Sequence, residues 1–310
     1  MNKDIIKIEN VSLTYKNTNT KALDDFSLKV KENEILGLVG ESGCGKSTLG
    51  RAIIGLEKFD KGDIYLDGEN LDYSKDSELK KLRENIQMVF QDPYLSLDPS
   101  MSVKNIINEP LKYLKAGLSK EEKEKRILEV MKLIDLDINF LDRKSKEMSG
   151  GQRQRVGIAR ALAITPKVLI CDEPVSSLDV SVQAGILNLL KNLKKDLNLS
   201  LIFISHDLSV VNYIADRVCV MLKGKVCEIG SKDDIFNNPK HPYSKFLLES
   251  VPKIQIEEEN EISDDLMEIE YKEKGCPFYN RCELASEICA KEFPKVSTEN
   301  EHIWYCHNSK

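Results

Sequence analysis

Two short runs in this 310-residue chain have the residue types and spacing to do phosphate chemistry. Gly40-Glu41-Ser42-Gly43-Cys44-Gly45-Lys46-Ser47-Thr48 fits G-x-x-x-x-G-K-[ST], the spacing of a loop that cradles nucleotide phosphates. Dense negative charge has to be held without water-sized gaps. Gly43 and Gly45 let the backbone come close and turn its N–H groups inward. A helix starting near Lys46 adds the positive end of its dipole. Lys46 supplies a mobile cation, and Ser47 offers a hydroxyl to Mg²⁺. Cys44 occupies a free position, where a small filler residue suffices. The second run, Val168-Leu169-Ile170-Cys171-Asp172-Glu173, is apolar until it ends in two carboxylates. A carboxylate at the end of such a strand, beside a phosphate loop, can hold Mg²⁺ through water, which is the expectation for Asp172. Glu173 is then placed to polarise an attacking water as general base.

These residues need elements that bring them together. Residues 5–15 alternate apolar and polar, as a half-exposed strand does, and Tyr15 ends it. Residues 34–40 form a short buried-strand pattern running straight into the glycine loop. Residues 46–56 read as a helix with Leu49, Ile53, Ile54 and Leu56 on or near one face. This strand–loop–helix order is the context a phosphate loop requires. Residues 62–68 read as a strand closing in an Asp-Gly turn, and residues 86–91 as another strand, ending at Gln91. The stretch from about 103 to 164 is mostly helical in pattern. Residues 168–171 and 201–205 are continuously apolar, the mark of parallel strands covered on both faces. Residues 218–222 and 226–229, around Gly224, read as a hairpin.

A third run is rarer. Met148-Ser149-Gly150-Gly151-Gln152 precedes a helical pattern from Gln152 to Leu162, whose N-terminus can address a phosphate. With the glycine loop, Cys171-Asp172-Glu173-Pro174 and His206 after a strand, it resembles the ATPase subunits of ABC transporters. Met148 stands where leucine is commonest, an apolar-for-apolar change. The resemblance implies an α/β fold: a P-loop ATPase with a RecA-like mixed sheet, a helical signature subdomain at about 95–165, and ATP and Mg²⁺ as ligands. It implies that Ser149, Gly150, Gly151 and Gln152 contact ATP bound to a partner chain. It further implies that Gln91 senses Mg²⁺ and the membrane subunits, that Asp179 in Ser177-Leu178-Asp179 links the two sites, that His206 hydrogen-bonds the γ-phosphate, and that Tyr15 stacks on adenine. Each motif occurs once, so the expectation is one half-site set per chain, completed by a second ATPase subunit, either a sibling or an identical chain.

Composition sets the bounds. Hydrophobic residues make up 41% and charged residues 31%, as in ordinary soluble proteins. No apolar run approaches the ~18 residues of a membrane span, and residues 1–6 hold no apolar signal core. The expected location is therefore cytoplasmic, and by resemblance peripheral, on the inner face of the membrane. A net charge of −6 argues against a general nucleic-acid binder. ABC-type ATPases of DNA repair or translation typically carry coiled-coil insertions, zinc modules or two ATPase units per chain, and the sequence shows none of these.

Residues 1–250 are thus expected to form the ATPase domain. Residues 251–274 read as an acidic linker, with nine carboxylates from Glu257 to Glu273 facing Lys272 and Lys274. In the tail, residues 275–310, Cys276, Cys282, Cys289 and Cys306 are separated by five, six and sixteen residues. Four such cysteines can hold a soft metal. The C-x₂₋₄-C pairs usual for structural zinc are absent, and wider spacing suits an iron–sulfur cluster; zinc and free thiols stay open. Residues 241–248 and this tail resemble those of oligopeptide and dipeptide importers, and residues 40–56 are close to that subfamily's second ATPase subunit. The resemblance implies a [4Fe–4S] cluster on the four cysteines. It also implies two transmembrane permease subunits as partners, an extracytoplasmic substrate-binding protein acting indirectly, and import of oligopeptides or dipeptides. The same subfamily includes importers of nickel and other small cargo.

Overall fold

The central strands are apolar on both sides because two separate cores press on them. The structure, a computed structural model, describes residues 3–250 and 274–309; the acidic stretch expected at 251–274 lies outside the described residues except for Lys274. The chain begins with β1 (Asp4–Tyr15), β2 (Thr20–Lys31) and β3 (Ile35–Val39), then α1 (Lys46–Ile53), β4 (Lys61–Leu66) and β5 (Glu69–Asn70). Next come α2 (Asp76–Asn85), β6 (Ile86–Val89), a short α3 (Pro93–Ser96), α4 (Val103–Tyr113), α5 (Lys120–Leu133) and α6 (Gly150–Leu162). The second half follows with β7 (Val168–Asp172), α7 (Val180–Leu197), β8 (Ser200–Ile204), α8 (Leu208–Ile214), β9 (Arg217–Leu222) and β10 (Lys225–Ser231). It closes with α9 (Lys232–Asn237), α10 (Pro242–Glu249), α11 (Glu287–Lys291), β11 (Ser297–Glu299) and β12 (His302–Trp304).

The strands form an eight-stranded sheet in the order β11-β12-β10-β9-β3-β8-β7-β6 and a four-stranded sheet in the order β2-β1-β4-β5. From β9 to β6 the large sheet is parallel, and its other pairs are antiparallel. Successive side chains of a strand point to opposite faces, and the buried residues divide accordingly. Leu36, Leu38, Ile170 and Ile202 join α1 and the small sheet in one core, whereas Ile35, Val39, Leu169 and Leu201 pack with α4 to α8 in the other. The expected α/β architecture with a mixed sheet is the one observed.

Two local expectations change. Helix α1 ends at Ile53 and the chain turns at Gly55 (φ +68°), so Leu56 is 51% exposed instead of joining the buried face. The β6 strand stops at Val89, which leaves Gln91 two residues beyond it on the loop. The tail also does more than append. Its strand β12 pairs with β10 through Glu228–Trp304 and Ile229–Ile303, extending the large sheet. Three-residue strands carry no readable periodicity, which is why the pattern gave no sign of this.

The joint between β10, α10 and the tail is polar and sealed. Glu228 is fully buried; its carboxylate accepts from the backbone N–H groups of Lys240 (2.7 Å) and His241 (2.9 Å) and lies 2.7 Å from His302 Nε2. His241 caps α10 by accepting from Tyr243 N at 3.0 Å, and burial holds its imidazole down to about 4 from the ordinary 6.5. Between those values the unfolded chain binds a proton that the folded chain does not. Stability is therefore full above about pH 6.5 and falls toward pH 4, by about 3 kcal/mol at the bottom of the window. His241→Asn keeps a capping acceptor but does not titrate. Urea unfolding followed by emission of Trp304, the sole tryptophan, should show a shallower loss of stability between pH 6.5 and 4.5 in that variant than in wild type.

Candidate nucleotide site

The glycine loop leaves β3, which is entirely buried, and enters α1 at Gly45. Gly45 has φ +107°, and a Cβ there would lie 2.2 Å from the Ala22 carbonyl oxygen. A Cβ on Gly40 would meet the Met221 carbonyl at 2.1 Å and Cys44 Sγ at 2.9 Å. No other residue fits either position. Lys46 is buried, its Nζ donating to the carbonyls of Gly40 (2.7 Å) and Glu41 (2.9 Å). Cys44 is buried, and burial pushes its thiol pKa up. Tyr15 Oη is 3.1 Å from Thr48 Oγ1, so the end of β1 reaches the end of the loop.

Strand β7 delivers Asp172 beside this loop. Ser47 Oγ donates to Asp172 Oδ1 at 2.8 Å. Asp172 is 1% exposed, and its carboxyl is pushed upward chiefly by burial, with the Ser47 hydrogen bond opposing. Mg²⁺ asks for one or two hard oxygen ligands and completes its shell with water and phosphate. This hydroxyl–carboxylate pair fits that demand.

Glu173 turns out of the strand at φ +44°, a left-handed conformation rare for a residue with a side chain. Its two carboxylate oxygens are held separately. Oε2 accepts from Gln91 Nε2 at 2.9 Å, and Oε1 lies 3.0 Å from His206 Nδ1. Two residues from distant parts of the sequence, Gln91 and His206, thus converge on the carboxylate of a third, which follows Asp172 in the chain.

The signature run sits elsewhere. Ser149 is the N-cap of α6, which begins at Gly150, two residues before the expected start. Ser149 Oγ accepts from Gln152 N (3.3 Å), and Gln152 Oε1 accepts from Ser149 N (3.0 Å), a reciprocal capping box. Gly150 and Gly151 pack against Leu178 and Val182. Asp179 caps the adjacent α7, accepting from Val182 N at 3.0 Å and Ser181 Oγ at 2.6 Å. Among the described residues no hydrogen bond joins Ser149–Gln152 to the glycine loop of the same chain.

The four tail cysteines gather without forming a ligand set. Cys276 is pushed up to about 11, by burial first and then by the neighbouring Cys289, Cys306 and Cys282 thiols. Cys289 Sγ is turned toward Ser286 Oγ (3.4 Å) and Asn308 Nδ2 (3.5 Å). Among the described residues no three histidines, cysteines or carboxylates are arranged to hold a metal ion. The donors suit an iron–sulfur cluster in type but not in arrangement, so the expectation of a [4Fe–4S] site finds no support here.

Comparison with known proteins adds what geometry alone does not. Residues 23–176 match the family described as ABC transporter, and residues 227–289 match the oligopeptide/dipeptide transporter C-terminal region. The chain is 47% identical to the oligopeptide transport ATP-binding protein OppF of Haemophilus influenzae, over 92% of this chain and 88% of that protein. It is 44% identical to the corresponding AppF protein of Bacillus subtilis, over 93% and 89%. The chain belongs to the ABC transporter family, in its oligopeptide-transport ATP-binding branch. An ATP-binding cassette solved as a dimer bound to ADP and phosphate superposes with a TM-score of 0.67 at 34% identity, covering 73% of this chain and 98% of the other. As a member of this family the chain is an ATP hydrolase that requires ATP and Mg²⁺.

Sequence reasoning assigned no role to Tyr243 or Arg281, both of which touch the glycine loop. Spacing of aromatic residues around Arg281, at 278 and 279, was the available signal. The contact between α6 and α7 can be tested directly. A Cβ on Gly151 would fall 2.4 Å from Val182 Cγ1, on a side chain with little rotamer freedom. Gly151→Ala should cost about 1–3 kcal/mol in urea unfolding, and adding Val182→Ala should recover part of that loss.

Proposed function

We propose that this chain is the ATPase subunit that powers oligopeptide or dipeptide import through a membrane ABC transporter. The observation that carries the catalytic part is Glu173, held between Gln91 and His206 beside Ser47 and Asp172. In this reading the glycine-loop N–H groups and Lys46 bind the phosphates, and Tyr15 supports the adenine. Ser47 and Asp172, with Gln91, would hold Mg²⁺, which would supply positive charge against the phosphates. Glu173 orients the attacking water and takes its proton, with its carboxylate kept in one orientation by its two partners. His206, more than half exposed on its side chain, reaches toward the γ-phosphate.

The other half of the site is proposed to come from a second ATPase subunit, sibling or identical. Ser149, Gly150, Gly151 and Gln152 would face the nucleotide of that partner, and Asp179, capping α7 against the signature glycines, would carry information between the two sites. The dimeric state named for the ADP-bound relative supports this reading, and so does the bonding of Ser149 and Gln152 to each other and not to the chain's own glycine loop.

Two membrane permease subunits would dock at the segment around α3, with an extracytoplasmic substrate-binding protein acting through them. Tyr94 is 54% and Leu95 88% exposed there. Behind them Arg153 of α6 lies over the Tyr94 ring at 3.6 Å, and Arg160 Nη1 donates to the Ser96 carbonyl at 2.7 Å. Motion at the membrane would thus pass to the helix that presents the signature. Among the described residues no helix is long and apolar enough to cross a membrane, which suits a peripheral subunit on the cytoplasmic face. The division proposed is an ATPase domain at 1–250, with its helical subdomain near 95–165, a linker at 251–274 and a tail at 275–310.

The finer cofactor reading, a [4Fe–4S] cluster on Cys276, Cys282, Cys289 and Cys306, rests on donor type and on the resemblance, and needs Cys289 to leave Ser286 and Asn308. About four irons per chain with charge-transfer absorption after anaerobic purification would support it; absence of both would leave free thiols. The catalytic assignment makes a sharper prediction. Glu173→Gln should lower ATP turnover by at least about 10²-fold while ATP binding stays within about threefold of wild type. In cells lacking the gene it should fail to restore uptake of labelled peptides. Turnover at the wild-type rate would remove Glu173 from the mechanism.

A further inference from the structure

Glu41 is an awkward residue for its place. It stands in a loop whose task is to hold a polyanion, and its backbone is already engaged, since its carbonyl accepts from Lys46 Nζ. An unpaired carboxylate here would repel phosphate and compete for that lysine. The structure supplies a partner from 240 residues away. Arg281 of the tail forms a two-pronged pair with it, Nη1 to Oε1 at 2.7 Å and Nη2 to Oε2 at 3.1 Å. Fork-to-fork pairing of this kind fixes direction as well as charge.

Arg281 is itself held. Its guanidinium lies 5.1 Å from the Phe278 ring centre and 5.4 Å from that of Phe246, within cation–π range. Phe278 packs on Tyr243 (5.3 Å) and Phe246 (5.8 Å). Fully buried Tyr243 grips the same loop residue a second way: its Oη accepts from Glu41 N at 3.0 Å. One loop residue is therefore clamped through its backbone by α10 and through its carboxylate by the tail.

We propose that Arg281 is a positioning residue for nucleotide binding: by neutralising and orienting the Glu41 carboxylate it keeps the entrance of the phosphate loop open to phosphate and holds that carboxylate off Lys46. This rests on the glycine loop being the ATP site. The tail then acts on ATP affinity within its own chain, without touching nucleotide. Both partners are partly exposed, with side-chain exposures of 30% and 36%, so salt screening moderates the effect.

The test is equilibrium binding of Mg·ATP to the full-length chain. Arg281→Gln should weaken binding about 5- to 10-fold, and Arg281→Lys, which keeps the charge but not the fork, about 2- to 3-fold. The deciding measurement is the same Arg281→Gln change made in a Glu41→Gln background, where its effect should shrink below about twofold because no carboxylate remains to be neutralised. Trp304 emission separates this from loss of the tail, since β12 stays docked if only the pair is broken. Unaltered binding in Arg281→Gln would overturn the proposal, as would an undiminished loss in the Glu41→Gln background. If instead ATP fails to bind wild type at all, the ATP-site reading fails and not this pairing.

Discussion

The glycine loop has no room for a side chain at two of its positions, Gly40 and Gly45, and the rest of the structure is arranged around that constraint. The carbonyls that would collide with a Cβ at Gly45 and Gly40 belong to Ala22 in β2 and Met221 in β9. One lies in the small sheet and the other in the large one. The loop therefore has its shape only if both sheets are formed and correctly seated. Further bonds tie the same junction, from Gly224 N to the Cys44 carbonyl and from Asp24 N to the Gly224 carbonyl. Binding capacity is in this sense a property of the whole β framework and not of nine residues.

The two carboxylates at the end of β7, Asp172 and Glu173, depend on the same framework in another way. Parallel β7 pairs with β8 through Asp172–Ile204, and Glu173 N then bonds the Ile204 carbonyl before the chain turns away. The left-handed backbone at Glu173 costs about 1–3 kcal/mol for a residue of this type and is held by Gln91 on one side and His206 on the other. Each partner sits just past the end of a neighbouring strand, β6 and β8 respectively. The end of a parallel sheet thus gathers loop residues that are far apart in sequence, which is the reason such sheets bind ligands there. The signature run stands apart in its bonding: it is capped by its own box at the start of α6. Under the proposed function a second ATPase subunit brings it to a nucleotide.

Much of this was legible in the sequence, and the exceptions have physical causes. The β3–loop–α1 unit was readable because buried-strand, glycine and helix signals follow one another without a gap. The run ending in Asp172 was readable because a fully covered parallel strand is continuously apolar. Strand β2 was missed although Phe26, Leu28 and Val30 alternate: the pattern breaks at Asp25, which takes φ +54°, and a register shift lies beside it. The capping box at Ser149 and Gln152 is written in the sequence as S-x-x-Q, but the same four residues are also the signature motif, so one pattern carries two readings. The tail was the least legible part. Its strand β12 has three residues, and its bond to the core runs through Glu228, His302 and Arg281, whose partners lie 74 and 240 residues away. Long-range polar pairing leaves no local pattern to read. Cysteine spacing, by contrast, was conspicuous and pointed to metal, where the folded arrangement brings the thiols near one another without a ligand set.

The central claim is that one chain carries half of each ATP site. Its most direct test is the rate of ATP hydrolysis per chain, measured against chain concentration, alone and with an equimolar sibling ATPase subunit. The account predicts activity per chain that falls on dilution as the dimer dissociates, in whichever pairing is active. Activity per chain that stays constant on dilution into a range where sedimentation shows only monomer would contradict it.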